Sequence, residues 1–221
     1  MKRDRVAADP AATAQTLLEM TGSHWVPVSF HDSKPAGVKV SSPVPFCAAA
    51  ARASAWPSLL KVSAIPCAGA RYALGAGGEE PPPLSNFLPP ALRRLADGAG
   101  PVRGAPRLPA APVYIGFGLE GRPAALYMSF MLVEYANRVA QFCSVLRGKN
   151  LNLRLSGGMS FCSEGAAAAL TSGRASISLG CPKAVKTAGL QGQVCVCLPA
   201  AVAEKFAAAW LRSAAPAGAG A

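Results

Sequence analysis

Seven cysteines are the side chains of this 221-residue sequence best suited to chemistry. Cys47, Cys67, Cys162 and Cys181 each stand at a junction between elements rather than inside an apolar run. Cys67 opens the short helix expected in IPCAGARYALG (65–75), and Cys162 opens the one expected in SFCSEGAAAALTSG (160–173). Unpaired N–H groups and the positive pole of a helix at such a position stabilise a thiolate. Cys181 closes SISLG and precedes Pro182. Gly69, Gly165 and Gly180 lie close by in sequence, and glycine lets backbone approach a bound group. Four thiolates can hold a [4Fe–4S] cluster or, as second choice, a zinc ion. The spacing names neither: there is no C-x-x-C pair, and the four are 20, 95 and 19 positions apart.

Three readings of these thiols stay open. Free cysteine behaves as a small buried hydrophobe, and Cys195 and Cys197, two apart in QVCVCL, fit a core, as does Cys143 after Phe142. Metal or cluster ligation is the second. The third is a catalytic thiol, which needs a base. The histidines are His24 and His31, and His31, following a strand, could face a cysteine across the sheet. Acids are dispersed: Glu79 and Glu80 lie in a Gly/Pro stretch, and Glu120, Glu134 and Glu164 stand singly. The glycines of GAGG (75–78) run into EEPPP rather than a helix, so no phosphate-cradling loop is formed. From another class comes a binding module for a small anionic ligand, held by the helix starts after Cys67 and Cys162 with Arg71, Lys183 or Lys186.

The net charge is +11 and the pI about 9.7. The arginines are scattered, with no run of five basic residues and no interleaved aromatics, so nucleic-acid binding is not expected. MKRDRVAADPAATAQTLLEM has no apolar signal core. The longest apolar stretch, PAALYMSFMLVEYANRVAQF (123–142), is broken by Glu134, Asn137 and Arg138, which suits a buried helix and not a membrane span. An odd number of cysteines without a signal peptide points to reduced thiols in a cytoplasmic protein with an unidentified redox partner or small anionic ligand.

The pattern of elements that must position these residues predicts an α+β fold, a mixed sheet with helices in one domain over residues 1–212. Helices are expected at 10–20, 46–54, 67–74, 123–142 and 199–212, and strands at 25–30, 38–40, 59–63, 112–117, 151–155, 175–180 and 193–198. Residues 76–111 read as a Gly/Pro-rich linker with an embedded helix near 88–96, and 213–221 as a disordered tail. With 51% hydrophobic and 15% charged residues a sizeable core is expected. It leans on Trp25, Phe30, Leu59, Leu60, Tyr114, Phe117, Phe130 and Leu132, because alanine buries little area. Phe46-Cys47 precedes GARYALGAG by the same interval that Phe142-Cys143 precedes GAAAALTSG. That offset suggests two related halves, about 25–77 and 112–180.

The segments VPVSF, a downstream FC, IPCAGARYALG, FCSEGAAAALTSGRASISLGC, KTAGL and CLPAAVAEKF, in that order, resemble the ArCR family, a domain of unknown function (169). The resemblance covers about residues 25–206. It aligns Cys47, Cys67, Cys162 and Cys181 with the family's cysteines, and leaves out Cys143, Cys195 and Cys197. Gly69, Ala70, Leu74 and Gly75 match the family's first cysteine-led helix. The family's Gly-x-Arg after S-L-G-C is absent here, where PKAVKTAGL stands, and its acidic residues before the last strand are replaced by QGQ. The resemblance implies no reaction. It sets the four cysteines apart as a group.

Overall fold

The computed structural model describes residues 9–78, 80, 81, 83, 104–148, 155, 156, 160–180 and 182–214. Its strands are β1 (Val26–His31), β2 (Ser58–Lys61), β3 (Tyr114–Phe117), β4 (Leu126–Leu132), β5 (Leu155–Ser156), β6 (Ser176–Ser178) and β7 (Gln193–Pro199). They form one sheet in the order β2-β3-β1-β4-β7-β6-β5. Neighbours pair antiparallel except β5 and β6, which run parallel. The fold is therefore α+β with a mixed sheet.

Helices cover both faces. On one lie α1 (Pro10–Thr21), α4 (Val133–Arg147) and α7 (Ala200–Ala214), whose Leu17, Val139 and Phe206 pack on Tyr127, Val196 and Leu198. On the other lie α2 (Phe46–Arg52), α3 (Ala68–Ala73), a π-helix (Phe161–Ala167) running into α5 (Ala168–Ser172), and α6 (Pro182–Ala188). Here alanine does the packing: Ala49, Ala50, Ala70, Ala73, Ala166, Ala167, Ala169 and Ala184 are all buried. A methyl group lets short helices lie close to the sheet and to each other. Larger side chains, Phe46, Phe117 and Phe161, fill the spaces left.

Local chemistry fixes the ends. Asp9 caps α1 by accepting from the Ala11 N–H at 3.0 Å, Pro10 takes the first position, and Gly22 at φ 76° ends it. The buried indole N–H of Trp25 donates to Thr21 Oγ1 at 3.0 Å and fixes the turn into β1.

Three expectations need correction. Residues 123–142 are not one helix: Leu126–Leu132 is the central strand β4, and the helix starts at Val133. A strand between two neighbours with helices on both faces is apolar throughout, so its run lacks the alternation that marks a half-buried strand. Residues 38–40 are not a strand: the Val38 N–H turns back to the Pro35 carbonyl at 3.4 Å, and contact with β2 comes from the Ser41 N–H to the Leu59 carbonyl at 2.8 Å. Leu132 is 44% exposed and not core, while Phe30, Tyr114 and Phe130 are half-buried. The helix expected near 88–96 lies outside the described residues, as do residues 151–154 of the expected strand 151–155 and residues 215–221 of the tail.

The paired segments of the suggested halves both run helix, edge strand, helix. Their first helices lie on opposite faces, however: Phe46 and Cys47 pack with Phe117 and Met128, Cys143 with Tyr127 and Val196.

Candidate functional site

Three of the four singled-out cysteines, Cys47, Cys67 and Cys162, line one small cavity between the helices of the alanine-rich face. Each comes from the start of a different element. Cys47 is the second residue of α2, Cys67 immediately precedes α3, and Cys162 is the second residue of the π-helix. Ala184, in the first turn of α6, completes the wall. The cavity measures about 20 Å³, room for a single small occupant, since a water needs roughly 10–15 Å³.

Aromatic rings lock the walls to the sheet. Phe46 meets Phe117 edge-to-face at 5.2 Å, and Phe161 meets Phe130 at 5.1 Å. Ser160 Oγ accepts from the Ser163 N–H at 3.2 Å, capping the π-helix, and lies 3.0 Å from Cys162 Sγ. Ser163 Oγ donates to the Pro106 carbonyl at 2.6 Å, and Ser176 Oγ to the Gly165 carbonyl at 2.6 Å. A π-helix is rare, and such widened turns occur frequently at functional sites. Here the three hydroxyls hold the widened turn and with it the Cys162 sulfur.

Cys181 lies outside the described residues. Its described neighbours belong to the same locality: Gly180 packs against Phe161, and Ala184 lines the cavity. The glycines serve close packing. A Cβ on Gly180 would fall 2.2 Å from the Phe161 ring, and one on Gly165 would fall 3.2 Å from Cys197 Sγ and 3.7 Å from Cys195 Sγ. Gly69 is buried within α3.

Cys195 and Cys197 are core, as their spacing indicates, both fully buried on the face of β7 that carries the cysteine helices. Their sulfurs are 3.6 Å apart. Burial, then the neighbouring Cys197, with Cys162 and Cys47 contributing, pushes the Cys195 thiol well above the usual range. Of the cavity thiols, Cys162 and Cys47 thus lie close enough to act on Cys195. Cys143 lies on the opposite face, where burial pushes its thiol up to about 11.

His31 does not face a cysteine. Its Nε2 is 2.9 Å from Ser29 Oγ, on the strand face opposite Val28 and Phe30. Burial and then Arg122 lower its pKa, against Asp32. The guanidinium of Arg71 donates to the Ile65 carbonyl at 2.6 Å, and Lys186 is exposed on α6. No described cationic side chain lines the cavity.

Among the described residues, no three of His, Cys, Asp and Glu are grouped closely enough to hold a metal ion, and no helix is long and apolar enough to cross a membrane. No protein-family model matches the chain, and no curated protein or solved structure gives a significant match.

Proposed function

We propose that the chain binds a soft metal centre through Cys47, Cys67 and Cys162, with Cys181 as fourth ligand, as a divergent relative of the ArCR family. The observation that carries this reading is the meeting of three thiols, distant in sequence, at one apolar cavity. Thiolate donors select zinc, copper(I) or iron–sulfur clusters over hard cations. Space favours a single ion of zinc size over the [4Fe–4S] cluster. At about 20 Å³ the cavity suits one atom with its ligands drawn in to about 2.3 Å, whereas a four-iron cube requires the helices to part. As they stand the described thiols are not grouped closely enough to hold an ion, so binding would require the short helices that carry them to draw together. A bound ion would keep its thiolates deprotonated, and a reducing compartment such as the cytoplasm would keep the thiols unoxidised.

The anionic-ligand module has less support. Arg71 is committed to a backbone carbonyl and Lys186 is exposed, the Lys183 side chain lies outside the described residues, and an anion in an apolar cavity lined by no described cation is strongly penalised.

The test is anaerobic purification followed by elemental analysis and sulfide determination. One equivalent of zinc per chain is expected, lost when Cys47, Cys67 and Cys162 are replaced together by alanine. Four irons with sulfide would replace the single ion by the cluster. Neither metal after purification and anaerobic reconstitution removes the proposal.

A further inference from the structure

Away from the cysteines, α1, the start of β1 and the segments that follow α2 and β3 enclose a pocket of about 290 Å³, the scale of a small-molecule site. Ala11, Ala14 and Leu18 recur at helical spacing, so one apolar stripe of α1 forms a wall. Trp25 lies beside that stripe, its indole N–H already given to Thr21. A larger cleft of about 420 Å³ beside Phe130 shares His24, Val26 and Ser54 with this pocket, but no Lys, Arg, Asp or Glu lines that cleft.

Two observations select a class of ligand for the smaller pocket. First, Glu120 lines it, and no Lys, Arg or Asp does. Glu120 is exposed, and its carboxylate has no hydrogen-bond or ion-pair partner among the described residues. Arg122, two positions on, donates to the Ala36 carbonyl at 3.0 Å and is not part of the wall. In a chain with 22 Lys and Arg against 11 Asp and Glu, this acid is left free to pair with a ligand. Second, Trp56, next to the wall residue Pro57, is 73% exposed, with no described ring or cation against it. The face of an aromatic ring attracts cations, that of tryptophan most strongly. The chain's +11 charge is screened beyond about 8 Å at physiological salt, so these near groups decide what binds.

We infer that this pocket binds a small organic cation, an amine whose ammonium pairs with Glu120 and whose apolar body lies on the α1 stripe, with Trp56 at its edge. This inference is independent of the metal centre.

The probes are benzylamine, benzyl alcohol and benzoate, one ring carrying a cation, a neutral group and an anion. In saturation-transfer NMR titrations of the full chain at low salt, benzylamine is expected to bind saturably and more tightly than benzyl alcohol, and benzoate not at all. Glu120→Gln keeps the shape and removes the charge. It is expected to weaken benzylamine about threefold to fivefold, the scale of one exposed ion pair, and to leave benzyl alcohol unchanged. Trp56→Ala is expected to weaken benzylamine about threefold. Both side chains are exposed, so neither variant disturbs the core. No saturable binding of benzylamine, equally tight binding of benzyl alcohol or benzoate, or unchanged benzylamine affinity in either variant would overturn the inference.

Discussion

Replacing Gly180 by alanine tests both the packing around the cysteine cavity and its rigidity. Gly180 has φ 73°, the left-handed region, where an L-residue costs about 1–2 kcal/mol. The new Cβ would also lie 2.2, 2.3 and 2.6 Å from three atoms of the Phe161 ring. That ring is 1% exposed and wedged against Phe130, so it cannot swing into solvent. Forcing a methyl into such packing costs a further ~1–3 kcal/mol. The sum is about 2–5 kcal/mol, which in a chain of this length lowers Tm by roughly 5–15 °C. Circular dichroism melting of four proteins closes a double-mutant cycle: the natural chain, Gly180→Ala, Phe161→Ala and both together. Phe161→Ala alone costs about 3–5 kcal/mol for the cavity it leaves. In the double variant the clash has no ring to meet, so only the backbone cost should add. A Tm change under 2 °C in Gly180→Ala, or strict additivity in the cycle, would refute the claim that the glycine exists to admit Phe161. Because Phe161 lines the cysteine cavity, the metal affinity proposed above should fall in Gly180→Ala along with stability.

Other outcomes follow from the same packing. Thr21→Val strands the buried Trp25 N–H and should cost about 1–3 kcal/mol, read as a lower Tm; an unchanged Tm would contradict it. Cys143 should resist iodoacetamide at pH 8, where a thiol with a pKa of about 11 is ionised in roughly one molecule in a thousand. Labelling as fast as that of half-buried Cys67 would rule this out. The folded Cys143 thiol holds its proton after the unfolded one has lost it. Its contribution to stability is thus complete below pH 9 and falls away between about 9 and 11. Cys143→Ala should flatten that part of the stability profile in urea titrations. Ser129→Ala should leave Tm unchanged or raise it, since the hydroxyl it removes is buried without a partner.

The sequence declared those elements whose ends carry chemical markers. The Asp9-Pro10 start and Thr21-Gly22 stop bounded α1, and Pro199 marked the start of α7. It misled where an apolar run has two physical meanings: Leu126–Leu132 is as hydrophobic as a buried helix because both faces of β4 are covered. α6 went unanticipated although Pro182 marks its start, because PKAVKTA has too little apolar periodicity to announce a helix. Burial of Cys195 and Cys197 was legible from their alternation on β7. Their nearness to Cys162 was not, since it depends on how the π-helix sits over the strand. The cleft of about 420 Å³ beside Phe130 arises from a mismatch in length between β1 and β4, and strand ends are the feature that local propensity marks least sharply.

α2 and α6 pack side by side, each seven residues long, about 10 Å of axis. Both begin at the cysteine cavity and end at that cleft, between the turn after α1 and Phe130. They act as paired struts, and a strut displaced at its head moves at its foot. If the proposed ion binds, the contraction of the sulfurs around it would be carried along both helices to their far ends, and whatever holds those ends would act back on the sulfurs with equal free energy.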